Sequence, residues 1–177
     1  MKKSSLLASL ASLALLASCA KTVTFAEAKQ HAADNYTLAA INEKYSSGTF
    51  KSVTDVKKSE GIFEKTFKAG KTENSGSAAL VPFAPISDSY TYKIDGKKMF
   101  VSYKLNPKDV LEESGQKVPE GAELSGSASG SYSYNEVGLI TKSVEKCDIS
   151  FSYSLAGISV SGALKMSQTI TYSYTAK

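Results

Sequence analysis

The sequence predicts a mainly β fold of the α+β type: a curved antiparallel sheet of about 8–9 strands with an N-terminal helix packed on it. Three observations lead there. The last third of the chain alternates apolar and hydroxyl side chains with a period of two. An Asp95-Gly96 dipeptide sits between two strand-like runs. Before both, a helix start is written at Thr24. At 177 residues, 42% hydrophobic with ten Tyr and seven Phe, the chain is long enough for one core and too short for two. The folded part is expected to be one domain over 24–177.

The helix comes first in the domain. Thr24-Phe25-Ala26-Glu27 fits a capping box, with Val23 placed to staple onto Ala28. Phe25, Ala28, Ala32 and Tyr36 then recur at three- and four-residue steps, an apolar stripe small enough to lie close against a sheet. Leu38 to Tyr45 adds a further turn or two before Ser46-Ser47-Gly48 ends it.

From Thr49 the period becomes two. Residues 49–57 and 62–68, joined by Ser59-Glu60-Gly61, read as a first hairpin. Gly70 to Asp88, carrying Pro82 and Pro85, reads as a long loop whose patch Leu80-Val81-Pro82-Phe83 could fold back as a lid. Residues 89–94 and 98–105 flank Asp95-Gly96, the pair favoured in tight type I′ turns, and form a second hairpin. Asn106-Pro107 starts a short helix reaching about Glu113.

In the C-terminal third the alternation is strict. Leu124, Ala128, Tyr132 and Tyr134 take one parity against serines; Ile149, Phe151, Tyr153 and Leu155 do the same. So do Ile158, Val160 and Leu164, and finally Ile170, Tyr172 and Tyr174 against Ser and Thr. Such alternation means antiparallel strands with one buried face. With turns at Asn135–Gly138, near Cys147-Asp148, at Ala156-Gly157 and near Lys165-Met166, the segment reads as a meander of about five strands. Gly126, Gly130 and Gly162 within it suggest bends that curve the sheet.

The N-terminus speaks to location. Met1-Lys2-Lys3 is a positive start, and Leu6 to Leu16 is apolar but shorter than the about 20 residues a membrane-spanning helix needs. The stretch ends in Leu16-Ala17-Ser18-Cys19, which resembles the bacterial lipobox at all four positions. The resemblance implies a diacylglyceryl thioether on Cys19, cleavage before it and tethering to a membrane that the protein does not span, since two acyl chains anchor stably where one does not. It implies a lipoprotein signal peptide over 1–18 and a lipidated anchor and short linker over 19–23, so the mature chain would be 159 residues, on the aqueous side outside the cytoplasmic membrane. Without Lys2 and Lys3 it carries nineteen lysines against seventeen acids, with no Arg. Near-neutral charge and the missing guanidinium fork argue against nucleic acid as a partner.

Enzyme signatures fail one by one. Cys147 is left as a single thiol, the lone His31 lies far from it in sequence, and a solvent-facing helix histidine explains His31 better than catalysis does. Gly126-Ser127-Ala128-Ser129-Gly130 has Ala where a nucleophile elbow needs Ser. The adjacent Glu112 and Glu113 point in different directions on a helix. No zinc spacing, phosphate loop or calcium loop is present, so no cofactor or metal is expected.

The pattern of a lipid-anchored, exported chain with a wide curved antiparallel sheet half covered by an N-terminal helix is similar to the LolA, LolB and LppX type of lipoprotein. That resemblance implies a concave apolar face binding acyl chains or another hydrophobic ligand. Here Tyr132, Tyr134, Phe151, Tyr153, Tyr172 and Tyr174 would line it, with Phe83 as a gate. The chain departs from the family in having no Arg to match the one LolA-type carriers place in their cavity. Two functions follow from the sequence: a membrane-anchored binding module for a lipid or other hydrophobic ligand, or a surface structural or interaction lipoprotein, an adhesin or envelope-complex subunit, with a closed core.

Overall fold

The computed structural model describes residues 20–109, 120–155 and 157–177. Cys19 and the expected signal peptide lie outside the described residues. The chain runs through β1 (Lys21–Val23), α1 (Phe25–Asn35), α2 (Leu38–Lys44), β2 (Tyr45–Gly61), β3 (Gly70–Ala78), β4 (Thr91–Asp95), β5 (Lys98–Leu105), β6 (Glu123–Tyr134), β7 (Ile140–Leu155) and β8 (Ile158–Ala176). The molecule is mainly β. The eight strands of the described residues form one sheet in the order β1-β4-β5-β6-β7-β8-β2-β3, every neighbouring pair antiparallel and the sheet not closed into a barrel.

Helix α1 begins where local chemistry satisfies its free amides. The Thr24 hydroxyl accepts from the Glu27 amide at 3.2 Å, and the Glu27 carboxylate accepts from the Thr24 amide at 2.7 Å. These bonds hold the exposed Glu27 carboxyl below the usual carboxylate range. The Thr37 hydroxyl caps α2 through the Ala40 amide at 3.1 Å.

β1 lies at one edge and β2 is the seventh strand, so α1 and α2 must cross the sheet between them. Residues 79–90 make the return journey from the edge strand β3 to β4. Both crossings bury the same face. Ala28, Ala32 and Tyr36 pack with Tyr92, Met99 and Val101, joined by Phe83, Tyr90, Tyr132 and Tyr134. A second cluster places Ile41 with Val137 and Leu139, flanked by Leu80, Tyr45 and Tyr174. The turn Asn135–Leu139 is held by the Asn135 side chain, whose oxygen accepts from the Val137 and Leu139 amides at 3.1 and 3.0 Å.

The register puts the apolar parities of all the long strands on this one face. Tyr92, Val101 and Tyr132 are cross-strand partners, then Tyr132, Ser143, Ile170 and Ser52. Towards the other end Leu124 stands beside Phe151, Tyr153 beside Val160 and Leu155 beside Ile158. The opposite face carries the Ser, Thr and Lys residues of the alternation.

Three expectations are corrected. Residues 62–68 do not form the return strand of the first hairpin. They close on themselves, the Thr66 and Phe67 amides donating to the Phe63 carbonyl, while Ile62 and Phe63 lie over Gly162. The partner of β2 is β3, inside the segment expected to be a loop: an edge strand with no buried side chains leaves no apolar alternation to read. The meander has three strands rather than five, because β7 and β8 run straight through the expected turns. Cys147 pairs opposite Met166, and Asp148 opposite Lys165, with which it forms an ion pair across the strands. The charges read as turn residues are cross-strand partners on the polar face. The Asp95-Gly96 hairpin is formed as expected, Gly96 taking a φ of 58°. Of the short helix after Asn106, residues 107–109 are helical and the Asn106 side chain caps the Asp109 amide at 3.0 Å; its remainder, with Glu112 and Glu113, lies outside the described residues.

Candidate functional site

The aromatic residues of the helix-side face are the candidate site, and the structure separates them into groups. Phe83 reaches the sheet from the 79–90 crossing and stacks on Tyr134, centroids 4.1 Å apart, while its amide donates to the Gly138 carbonyl at 3.0 Å. Its position is that of a ring built into the core. Tyr90, Tyr103 and Tyr132 form a ladder of near-parallel rings spaced 5.0 and 6.1 Å, possible because Gly130, between Tyr103 and the neighbouring strand β7, has no Cβ to obstruct the Tyr103 ring. Tyr174 leans on Tyr45 and donates to the Ile140 carbonyl at 2.7 Å. Tyr172 meets Phe50, its cross-strand partner, at 6.3 Å.

Desolvation explains the electrostatics of these rings. Burial pushes Tyr174 up to about 12 and raises Tyr36, Tyr132 and Tyr134 further, Tyr132 being raised also by its hydrogen bond to Glu145. All four are neutral at physiological pH, and Tyr36, Tyr132 and Tyr174 donate hydrogen bonds.

Phe151 and Tyr153 stand apart, on the far half of β7, where β2 and β6 run out. Gly61, the last residue of β2, pairs with Gly162, and Glu123, the first of β6, pairs with Ser152. Beyond them β7 and β8 continue as a two-stranded ribbon closing at Gly157, whose φ is 81°. The structure therefore brings Phe83, Tyr132, Tyr134 and Tyr174 into the covered half of the face and leaves Phe151 and Tyr153 in the other half, with Tyr172 beside Phe50. No family model, no curated protein and no solved structure matches this chain. Its site is accordingly read from its own geometry.

Between the two halves lies a polar row absent from the sequence reading. In register it runs Tyr103, Gly130, Glu145, Gln168 and Thr54. The Tyr132 hydroxyl donates to Glu145 Oε1 at 2.8 Å, and Gln168 Nε2 donates to the Thr54 hydroxyl at 2.9 Å. The next row towards the helices holds Ser143 and Ser52, both buried. Parity alone would have found Glu145, since it shares the odd positions of Ile149 and Phe151; taking Cys147-Asp148 for a turn hid it.

Cys147 follows it on the same face as a free, half-buried thiol. Burial, then the Asp148 charge, pushes the thiol up, which opposes thiolate chemistry. His31 is far from it, against the Lys97 carbonyl at 3.2 Å and edge-on to Tyr36. Among the described residues no cluster of His, Cys, Asp and Glu is arranged to hold a metal, and no helix is long and apolar enough to cross a membrane.

Proposed function

We propose that the chain is a bacterial lipoprotein, anchored outside the cytoplasm through acyl chains on Cys19, that binds a lipid or other hydrophobic ligand on the helix-side face of a curved sheet and carries out no chemistry on it. The observation that carries this reading is the mismatch between the apolar face and its cover. The crossings α1, α2 and 79–90 pack on the Tyr92, Met99 and Val101 end, whereas the same parity continues through Ile149, Phe151, Tyr153, Val160 and Ile158. Ile158 is 69% and Val160 36% exposed. Ile149, Phe151 and Tyr153 are half-buried, and apolar residues that carry a buried parity out into water, as Ile158 and Val160 do, are a common mark of a ligand or interaction surface. The anchor rests on Leu16-Ala17-Ser18-Cys19 and on the short apolar stretch before it.

Native mass spectrometry of the chain from Ala20 onward, which contains every element described, after exposure to a bacterial lipid extract is the direct test. A stoichiometric adduct of defined mass supports the ligand reading; a folded protein that never carries one overturns it. The anchor is tested separately: Cys19→Ser should move the protein from the membrane to the soluble fraction, and a variant that stays tightly membrane-bound refutes it.

The surface-interaction reading is favoured by one observation, the stacking of Phe83 on Tyr134 beneath an amide bonded to Gly138, which fills the helix-covered end with protein. An adhesin or envelope-complex subunit with a closed core would copurify with a protein partner and no lipid.

A further inference from the structure

We propose that Glu145 is the head-group subsite of the helix-side face, accepting the ammonium of a single-chain cationic amphiphile whose tail lies along Cys147, Ile149 and Phe151. This rests on the hydrophobic-ligand reading and names the chemistry of the ligand's polar end. Glu145 is singular by position. In the strand register, Asp55, Glu60, Glu73, Asp95, Glu123 and Asp148 all fall on the opposite face, leaving Glu145 as the one carboxylate among the described strand residues on this side. The lysines of β3 to β8 likewise take the opposite parity. Glu145 is half-buried and makes no ion pair with a described residue. One of its oxygens is held by the Tyr132 hydroxyl.

A partly desolvated carboxylate without a cation loses solvation it does not recover, and a charged donor restores it. The neighbouring Tyr132 ring adds a surface that attracts cations. The rows that follow are what a tail requires: Ala128, Cys147 and Met166, then Ile149 beside Leu164, then Leu124 beside Phe151. From Glu145 to Phe151 is six residues, about 20 Å of strand at ~3.3 Å each. One acyl chain fills half of a hydrocarbon core of about 30 Å, roughly 15 Å, and fits that length.

The test is isothermal titration of the chain from Ala20 with dodecylammonium and with dodecanoate, both below their micelle concentrations. The protein's net positive charge favours the anion, so a preference for the cation must come from a local carboxylate. The expected result is that dodecylammonium binds roughly tenfold more tightly, that Glu145→Gln abolishes the difference and that Glu145→Asp retains much of it. In the native protein the Tyr132 ring resonances should shift with dodecylammonium, a readout that needs no folded variant. Equal affinity for the two amphiphiles, a preference that survives Glu145→Gln, or Tyr132 signals that never move overturns the subsite while leaving an apolar binding face standing. If neither amphiphile binds, the hydrophobic-ligand reading falls and takes the subsite with it.

Discussion

At the scale of single residues, two glycines show how tightly the covered end is built. Gly138 has a φ of 80°, in the left-handed region, and a Cβ there would lie 2.4 Å from Tyr36 Cγ. Gly138→Ala combines backbone strain with a clash against a buried ring and should cost about 2–4 kcal/mol, read from the midpoint of urea unfolding. At Gly130 a Cβ would meet Tyr103 Cε1 at 2.3 Å, so Gly130→Ala should displace that ring and break the ladder at lower cost, about 1–3 kcal/mol. The buried tyrosines set the alkaline limit of stability. Each has a folded pKa raised above its unfolded value, so the stability they contribute is complete below about pH 10 and is lost as pH climbs towards and beyond 12. Part of the tyrosinate absorbance should therefore appear only well above pH 10, where Tyr36, Tyr132, Tyr134 and Tyr174 ionise together with unfolding; absorbance that is complete near pH 10 would contradict their burial.

At the scale of elements, the hairpin at Asp95-Gly96 was legible because a two-residue turn needs a specific backbone that few residue pairs adopt easily. The parity of β6, β7 and β8 was legible for a different reason: one face is buried, and a one-residue slip would turn every aromatic out. Their lengths were not. Cys147-Asp148 and Lys165-Met166 look like turn punctuation until Asp148 and Lys165 are seen paired across the strands. β3 was invisible because Gly70–Ala78 buries no side chain and is held by backbone pairing to β2. The Thr24 cap lends itself to measurement: Thr24→Ala should lower stability by about 1 kcal/mol, whereas Thr24→Ser should keep most of it, both followed by thermal melting.

At the scale of the molecule, the two ends of the sheet differ in kind. β7 runs from Ile140, beside the helix-covered end, to Leu155 at the ribbon, about 50 Å at ~3.3 Å per residue. Lys21, two residues after Cys19, pairs with Ile94 at the covered end, so an anchor on Cys19 would hold that end at the membrane and carry the Ile158–Val160 ribbon away from it. Stability should divide the same way. Met99→Ala, in the packed cluster, is expected to cost about 2–5 kcal/mol, and Val160→Ser, in the ribbon, no more than about 0.5 kcal/mol, both from urea unfolding. A large loss at Val160 would mean that the ribbon is folded into a core after all.

Sequence by itself determined the class of fold, the tight Asp95-Gly96 turn and which residues share the apolar face, because each is a consequence of local backbone geometry or of a period of two along one chain. It also marked Cys19 as the candidate for an anchor. Only the tertiary structure decided strand length, the pairing of β2 with both β3 and β8, the stacking of Phe83 on Tyr134 and the placing of Glu145 as the one carboxylate of the described strand residues on the helix-side face. Those depend on contacts between residues far apart in the chain, as between Glu145, Gln168 and Thr54, and no window along one segment contains both partners.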